Sequence, residues 1–209
     1  MDKYYYFHDC ETSGLTTSHS VLKYYGCLLD KNLNLIKETP EYNIKPNSKS
    51  VLIDVNALQY NKIDIVKHCQ NKNTITYDSF LNKMKKFFES SFLIEDSDTA
   101  GIYLNSKNTD IIICGHNVAF DNMFVLDDIR KQLDPFIVLK SKAPLDTATI
   151  AQYYKLVGKL PPELEISLEN LSKYFKIDTK NIHSAKKDIQ LTIDILKKFK
   201  ELAQNKKEE

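Results

Sequence analysis

Residues 3–11 read KYYYFHDCE, and no other stretch limits the fold as strongly. Three tyrosines, a phenylalanine and a histidine lead directly into Asp9, Cys10 and Glu11. The composition is that of a buried β-strand. In a strand, residues i and i+2 share a face. Tyr5, Phe7, Asp9 and Glu11 therefore point one way, and Cys10 points the other as a small packing residue. A buried strand ending in two carboxylates on one face needs something to offset their charge.

The rest of the composition narrows the classes. At 209 residues the chain is expected to form one domain with a substantial core. No stretch approaches the roughly 18 apolar residues of a membrane helix, so no membrane role is expected. The N-terminus lacks the basic start and apolar centre of a signal peptide, and a cytosolic or nuclear location is expected. The net charge of +1 neither requires nor excludes a nucleic-acid partner. Nearly all the positive charge is lysine, with Arg130 the sole arginine. Lysine contacts phosphate as a mobile point charge and lacks the bidentate base readout of arginine, which favours sequence-independent contact. Cys10, Cys27, Cys69 and Cys114 form no C-x-x-C pair and read as buried free thiols. His68 and Cys69 have no partners at metal-ligand spacing, and there is no Gly-rich dinucleotide motif, P-loop or H-E-x-x-H.

Along the chain, residues 3–9, 21–29 and 34–44 read as three strands with short turns, an antiparallel meander. Residues 54–69 read as short helical pieces. Residues 76–89 carry Phe80, Met84, Phe87 and Phe88 at helical spacing. The polar segment 90–109 reads as a loop or insertion. In DIIICGHN (110–117), a short apolar strand ending in Gly115 suits the middle of a parallel sheet, with a helix expected from about 118 to 133. FIVLK (136–140) is another strand, and a helix is expected from Thr147. Ser167 is a plausible N-cap for SLENLSKYF. The last helix is expected from about 184 to 204, followed by a fraying, lysine-rich tail. A meander followed by alternating strands and helices describes one mixed-sheet α/β domain.

Two more carboxylates stand where the pattern calls for apolar residues. In the last helix, Ala185, Ile189, Thr192, Ile193, Leu196 and Phe199 make one stripe. Asp188 falls inside it, while Lys186, Lys187, Lys197 and Lys198 fall outside. Asp121 lies near the start of the helix that follows the apolar strand, where an acidic residue also suits the helix dipole. Four carboxylates at strand ends and helix starts repel one another unless a cation is present. Hard divalent ions such as Mg²⁺ or Mn²⁺ take carboxylate oxygens, and a pair of them serves phosphodiester cleavage. His183, five residues before Asp188, has the intrinsic pKa of a general base.

These blocks resemble a known family. HDCETSGL, GHNVAFD and HSAKKD match, in order, the three signature blocks of the DEDDh 3′→5′ exonuclease superfamily, relatives of polymerase proofreading subunits and exonuclease I. YNIKP, ALQYNKI, LDTATIAQ and SLENLSKYF are lesser echoes, so the resemblance spans about residues 3–200. It implies a ribonuclease H-like fold with a five-stranded mixed sheet and flanking helices. It implies that Asp9 touches both metals, that Glu11 and Asp188 bind the nucleophile-side metal, and that Asp121 holds the second. By the same resemblance His183 is the base. Thr12 and Leu15 meet the 3′-terminal nucleotide, and His116, Asn117 and Phe120 line the pocket beside Asp121.

The expected activity is metal-dependent removal of nucleoside 5′-monophosphates from single-stranded 3′ ends, DNA in preference to RNA. An exoribonuclease trimming RNA tails or short oligoribonucleotides uses the same residues. A proofreading or repair subunit docking on a polymerase or helicase is the reading from another class. Its candidate features are the lysine-rich tail and segment 90–109.

Overall fold

In a computed structural model of the chain, the described residues are 3–46, 51–96, 101–104, 110–135, 137–180 and 182–204. The meander forms as β1 (Lys3–Thr12), β2 (Val21–Leu29), β3 (Leu35–Glu38) and β4 (Tyr42–Asn43). Short helices α1 (Val55–Tyr60) and α2 (Ile65–Gln70) precede the long α3 (Tyr77–Phe92). A hairpin of β5 (Leu93–Asp96) and β6 (Gly101–Leu104) comes next. Then β7 (Asp110–Gly115), α4 (Ala119–Gln132), β8 (Val138–Asp146) and α5 (Thr147–Leu156) alternate. α6 (Leu168–Tyr174) and α7 (Ala185–Gln204) close the described chain.

The main sheet runs β3-β2-β1-β7-β8, with β4 as a sixth strand pairing with β2. β1 pairs antiparallel with β2 and parallel with β7, and β7 pairs parallel with β8. The fold class is thus the expected mixed α/β sheet, with one short strand more than the five expected. That strand arises because the expected segment 34–44 is broken in two. Pro40 has no N–H to give to a ladder, and at the break Thr39 N–H donates instead to the Gly26 carbonyl at 2.8 Å.

β1 is covered on both faces. Tyr6 and Cys10 join a core with Phe80, Met84 and Phe88 of α3 and Val125 and Ile129 of α4. Phe7 packs on the opposite face with Ala185, Ile189 and Ile193 of α7. A third cluster joins Ala151 and Tyr154 of α5, Leu171 of α6, and Ile195 and Phe199 of α7. The Tyr6 hydroxyl fills the space where a Cβ at position 26 would stand, so β2 carries Gly26 there.

Other expectations are corrected in detail. The polar segment 90–109 contains the last turn of α3 and the β5–β6 hairpin, while 97–100 and 105–109 lie outside the described residues. β8 extends past Lys140 to Asp146, because Cys114 and Gly115 pair with Leu145 and Asp146 after a register shift. Of the four cysteines, Cys69 is exposed and the other three are buried. The helix capped by Ser167 is as expected, its side chain accepting from Asn170 N–H. α7 reaches Gln204, and the tail beyond it lies outside the described residues. No described helix is long and apolar enough to cross a membrane.

Candidate active site

The C-terminal ends of the three parallel strands β1, β7 and β8 meet at one edge of the sheet, where open α/β sheets present their ligand sites. β1 delivers Asp9 and Glu11 there by simple alternation. α7 delivers Asp188 from its first turn, and α4 delivers Asp121 from its own. Carboxylate oxygens of Asp9, Glu11 and Asp188 all lie within 4.8 Å of one another. Asp121 is buried beside them, its Oδ1 accepting the Cys10 backbone N–H at 2.9 Å.

The electrostatics follow from that crowding. Burial pushes the Glu11 carboxyl up to about 8, with Asp188 adding to the rise and Lys23 opposing it. Burial likewise pushes Asp121 up to about 7, against the hydrogen bond from Cys10. Asp188 rises to about 6 by burial, opposed by the N–H of His183, which donates to its Oδ1 at 3.2 Å. Asp9 is raised well above the carboxylate range by burial and then by Asp121, Glu11 and Asp188. Glu41, whose Oε1 accepts the Lys186 N–H that opens α7, adds a further repulsion to Asp9, Glu11 and Asp188. Oxygen-only donors with raised proton affinity suit a hard divalent cation, which would replace the shared protons.

A cleft of about 530 Å³ opens over these groups, lined by every predicted site residue except His183. Leu15 is 64% exposed at its edge. Thr12 is buried, and its hydroxyl donates to the Gly14 carbonyl at 2.6 Å. The ring of His19 occupies the space a Cβ on Gly14 would need, which fits glycine to this loop. His116 Nδ1 and the Thr147 hydroxyl lie 2.9 Å apart. Asn117 adopts φ +57, and Phe120 stacks obliquely on Phe124 at 5.0 Å between ring centroids. His183 stands at the mouth on the loop before α7, half-buried, with φ +74 and its ring against Tyr60. Burial and Lys62 lower its proton affinity, while Glu169 opposes them.

Several supporting groups were not legible in the sequence. Asp146 caps α5 through Ala148 and Thr149 N–H, and also accepts the backbone N–H groups of Asn117 and Val118. It thereby fixes the turn carrying His116 and Asn117. The D-T-A-T spacing signals the cap; the bond to a turn 29 residues away has no local signal. His8, buried and held neutral with its pKa lowered to about 4, donates from Nε2 to Asn122 Oδ1 at 2.9 Å, beside Asp121. Asn61 Nδ2 donates to the Thr12 carbonyl and ties α1 to the end of β1. A larger groove, about 690 Å³ between β2, β3 and α7, lacks this convergence, and its Lys186 is already paired with Glu38 at 3.0 Å.

No protein-family profile and no curated protein sequence matches the chain. Solved structures do match. E. coli exonuclease I in complex with a dT13 oligonucleotide superposes with a TM-score of 0.68 at 20% identity, over 95% of this chain and 41% of that one. The zinc-bound form of the E. coli exonuclease I–single-stranded DNA complex gives 0.68 at 19% identity, over 98% and 41%. A complex of exonuclease I with an SSB C-terminal peptide gives 0.64 at 18%, over 94% and 41%. The chain thus spans about two fifths of the length of these neighbours. The architecture is the ribonuclease H-like α/β fold. The particular structures it resembles are those of exonuclease I, with which the present chain shares that fold.

Proposed function

We propose that this chain is a metal-dependent 3′→5′ exonuclease acting on single-stranded DNA. The observation that carries the reading is the convergence of Asp9, Glu11 and Asp188 within 4.8 Å, with Asp121 beside them, at the strand ends of a ribonuclease H-like sheet. A solved neighbour with that fold holds a DNA single strand and zinc, which supports DNA as substrate and a divalent ion as cofactor.

In this reading Asp9, Glu11 and Asp188 would hold one Mg²⁺ or Mn²⁺, and Asp9 with Asp121 would hold a second. When bound, such ions activate a water and offset charge on the leaving oxygen. His183 accepts the proton of the attacking water; burial and Lys62 lower its proton affinity, which favours the neutral imidazole that a general base needs. Leu15 and Phe120 offer apolar faces to the terminal base, a sequence-tolerant contact because every base has a π-face. The Thr12 hydroxyl donates its proton to the Gly14 carbonyl and keeps its acceptor lone pairs for the terminal nucleotide. His116 and Asn117, fixed by Thr147 and Asp146, complete the wall beside Asp121.

The test is a matched set of labelled single-stranded DNA, duplex DNA and RNA in Mg²⁺. The reading expects mononucleotide release from the 3′ end of single-stranded DNA first. Preferential cleavage of RNA overturns the substrate assignment, and internal cleavage overturns the exonuclease assignment.

A further inference from the structure

A side-chain base in a hydrolytic site is ordinarily oriented by a third group that hydrogen-bonds its far side. Among the described residues, no hydrogen bond to the His183 imidazole is seen. Its backbone is tied down, the N–H donating to Asp188 Oδ1 at 3.2 Å, but that bond leaves the ring free to turn. What meets the ring is Tyr60, edge to face, with centroids 4.5 Å apart and planes inclined at 60°.

Tyr60 is 67% exposed, so its ring is not drawn into the core. It ends α1, a six-residue helix that buries none of its side chains. Yet α1 is firmly attached at both ends. The Asp54 N–H donates to the Ser13 carbonyl at 2.7 Å, and Asn61 donates to the Thr12 carbonyl at 3.1 Å. Both anchors are on the segment that carries Glu11. Tyr60 therefore stands at a fixed distance from the carboxylates, lines the cleft with them, and presents its ring to the histidine.

We propose that Tyr60 is the positioning residue for His183, its ring holding the imidazole at the mouth of the cleft in register with the carboxylates. This rests on the exonuclease reading. Edge-to-face aromatic pairs are favourable but shallow, so the contact restricts the imidazole without locking it. The ring, not the hydroxyl, does the holding, and phenylalanine suffices.

The full-length chain is compared with Tyr60→Phe, Tyr60→Ala, His183→Ala and the Tyr60→Ala/His183→Ala pair on single-stranded DNA in Mg²⁺. Tyr60→Ala is expected to lower kcat about tenfold with KM within about twofold, and Tyr60→Phe to restore most of the loss. In the His183→Ala background, Tyr60→Ala is expected to add nothing, since groups acting as a unit are non-additive. In NMR of histidine-labelled, metal-free protein, the His183 ring protons are expected to carry a ring-current shift that Tyr60→Phe keeps and Tyr60→Ala abolishes. An unchanged kcat, a loss confined to KM, an equal loss in the His183→Ala background, or shifts indifferent to Tyr60→Ala each overturn the inference. A wild-type chain that degrades no 3′ end sinks the exonuclease reading itself. Wild-type activity matched by Tyr60→Ala sinks only the role of Tyr60.

Discussion

Glu11 holds its proton up to about pH 8 when no cation is present, because burial and the facing Asp188 disfavour its charge. In the unfolded chain a glutamate titrates near 4.3. Between those values the folded state keeps a proton that the unfolded chain has lost. Stability from this group is therefore fully present below about pH 4 and is lost as pH rises through 8. Asp121, raised to about 7, and Asp188, raised to about 6, act in the same direction. In chelator, the melting temperature is expected to fall by several degrees between pH 5 and pH 8, since about 1 kcal/mol moves Tm by ~2–4 °C at this size. Calorimetry should show a shallower fall for Glu11→Gln; a slope equal to that of the parent chain contradicts the assignment. Mg²⁺ at pH 8 is expected to recover the lost stability by binding the folded state alone, and no recovery contradicts the cation site. At His183, replacement by alanine should lower kcat by about 10²–10⁴-fold, the usual worth of a general base, with thermal stability within a degree or two. A variant retaining more than a tenth of the parent kcat removes His183 from the mechanism.

Elements differ in how far they announced themselves. β1 and α7 were legible because each pairs a strong period with a charge that violates it. Asp9 and Glu11 break the apolar run of β1, and Asp188 breaks the stripe of α7. α4 was legible by its apolar spacing, and α6 by the Ser167 cap. β8 was legible only at its start, in FIVLK; its continuation to Asp146 was not, since A-P-L-D carries no strand signal and is drawn into the sheet by pairing of Leu145 and Asp146 with β7. The β5–β6 hairpin was hidden in a polar composition that reads as loop. Contacts between elements were the least legible: Tyr60 against His183, and Asp146 across to the turn of Asn117, join segments far apart in sequence. Asp146 yields a prediction at this scale. Removing it strips the α5 cap, worth about 1 kcal/mol, and also frees the Asn117 and Val118 N–H groups. Asp146→Ala should therefore lower Tm by a few degrees and raise KM for single-stranded DNA more than it lowers kcat. A pure stability loss with unchanged KM contradicts its role in fixing the cleft wall.

For the whole molecule, the arrangement that gives the fold also gives the site. β1 sits mid-sheet with helices on both faces, so its apolar stem is buried by α3 and α4 on one side and by α7 on the other. Its last residues emerge where the parallel strands end, and α4 and α7 begin beside that edge. Carboxylates placed there face one another from three separate elements. Their mutual repulsion leaves a charge deficit that a divalent cation fits. The architecture shared with exonuclease I and the acidic cluster thus point the same way, one through topology and the other through electrostatics. The most direct measurement follows 5′-labelled single-stranded DNA incubated with the chain in Mg²⁺, in chelator, and with Asp9→Asn in Mg²⁺. A ladder shortening from the 3′ end in Mg²⁺ alone is the predicted result. Equal degradation in chelator, or by Asp9→Asn, contradicts a metal-dependent exonuclease built on these carboxylates.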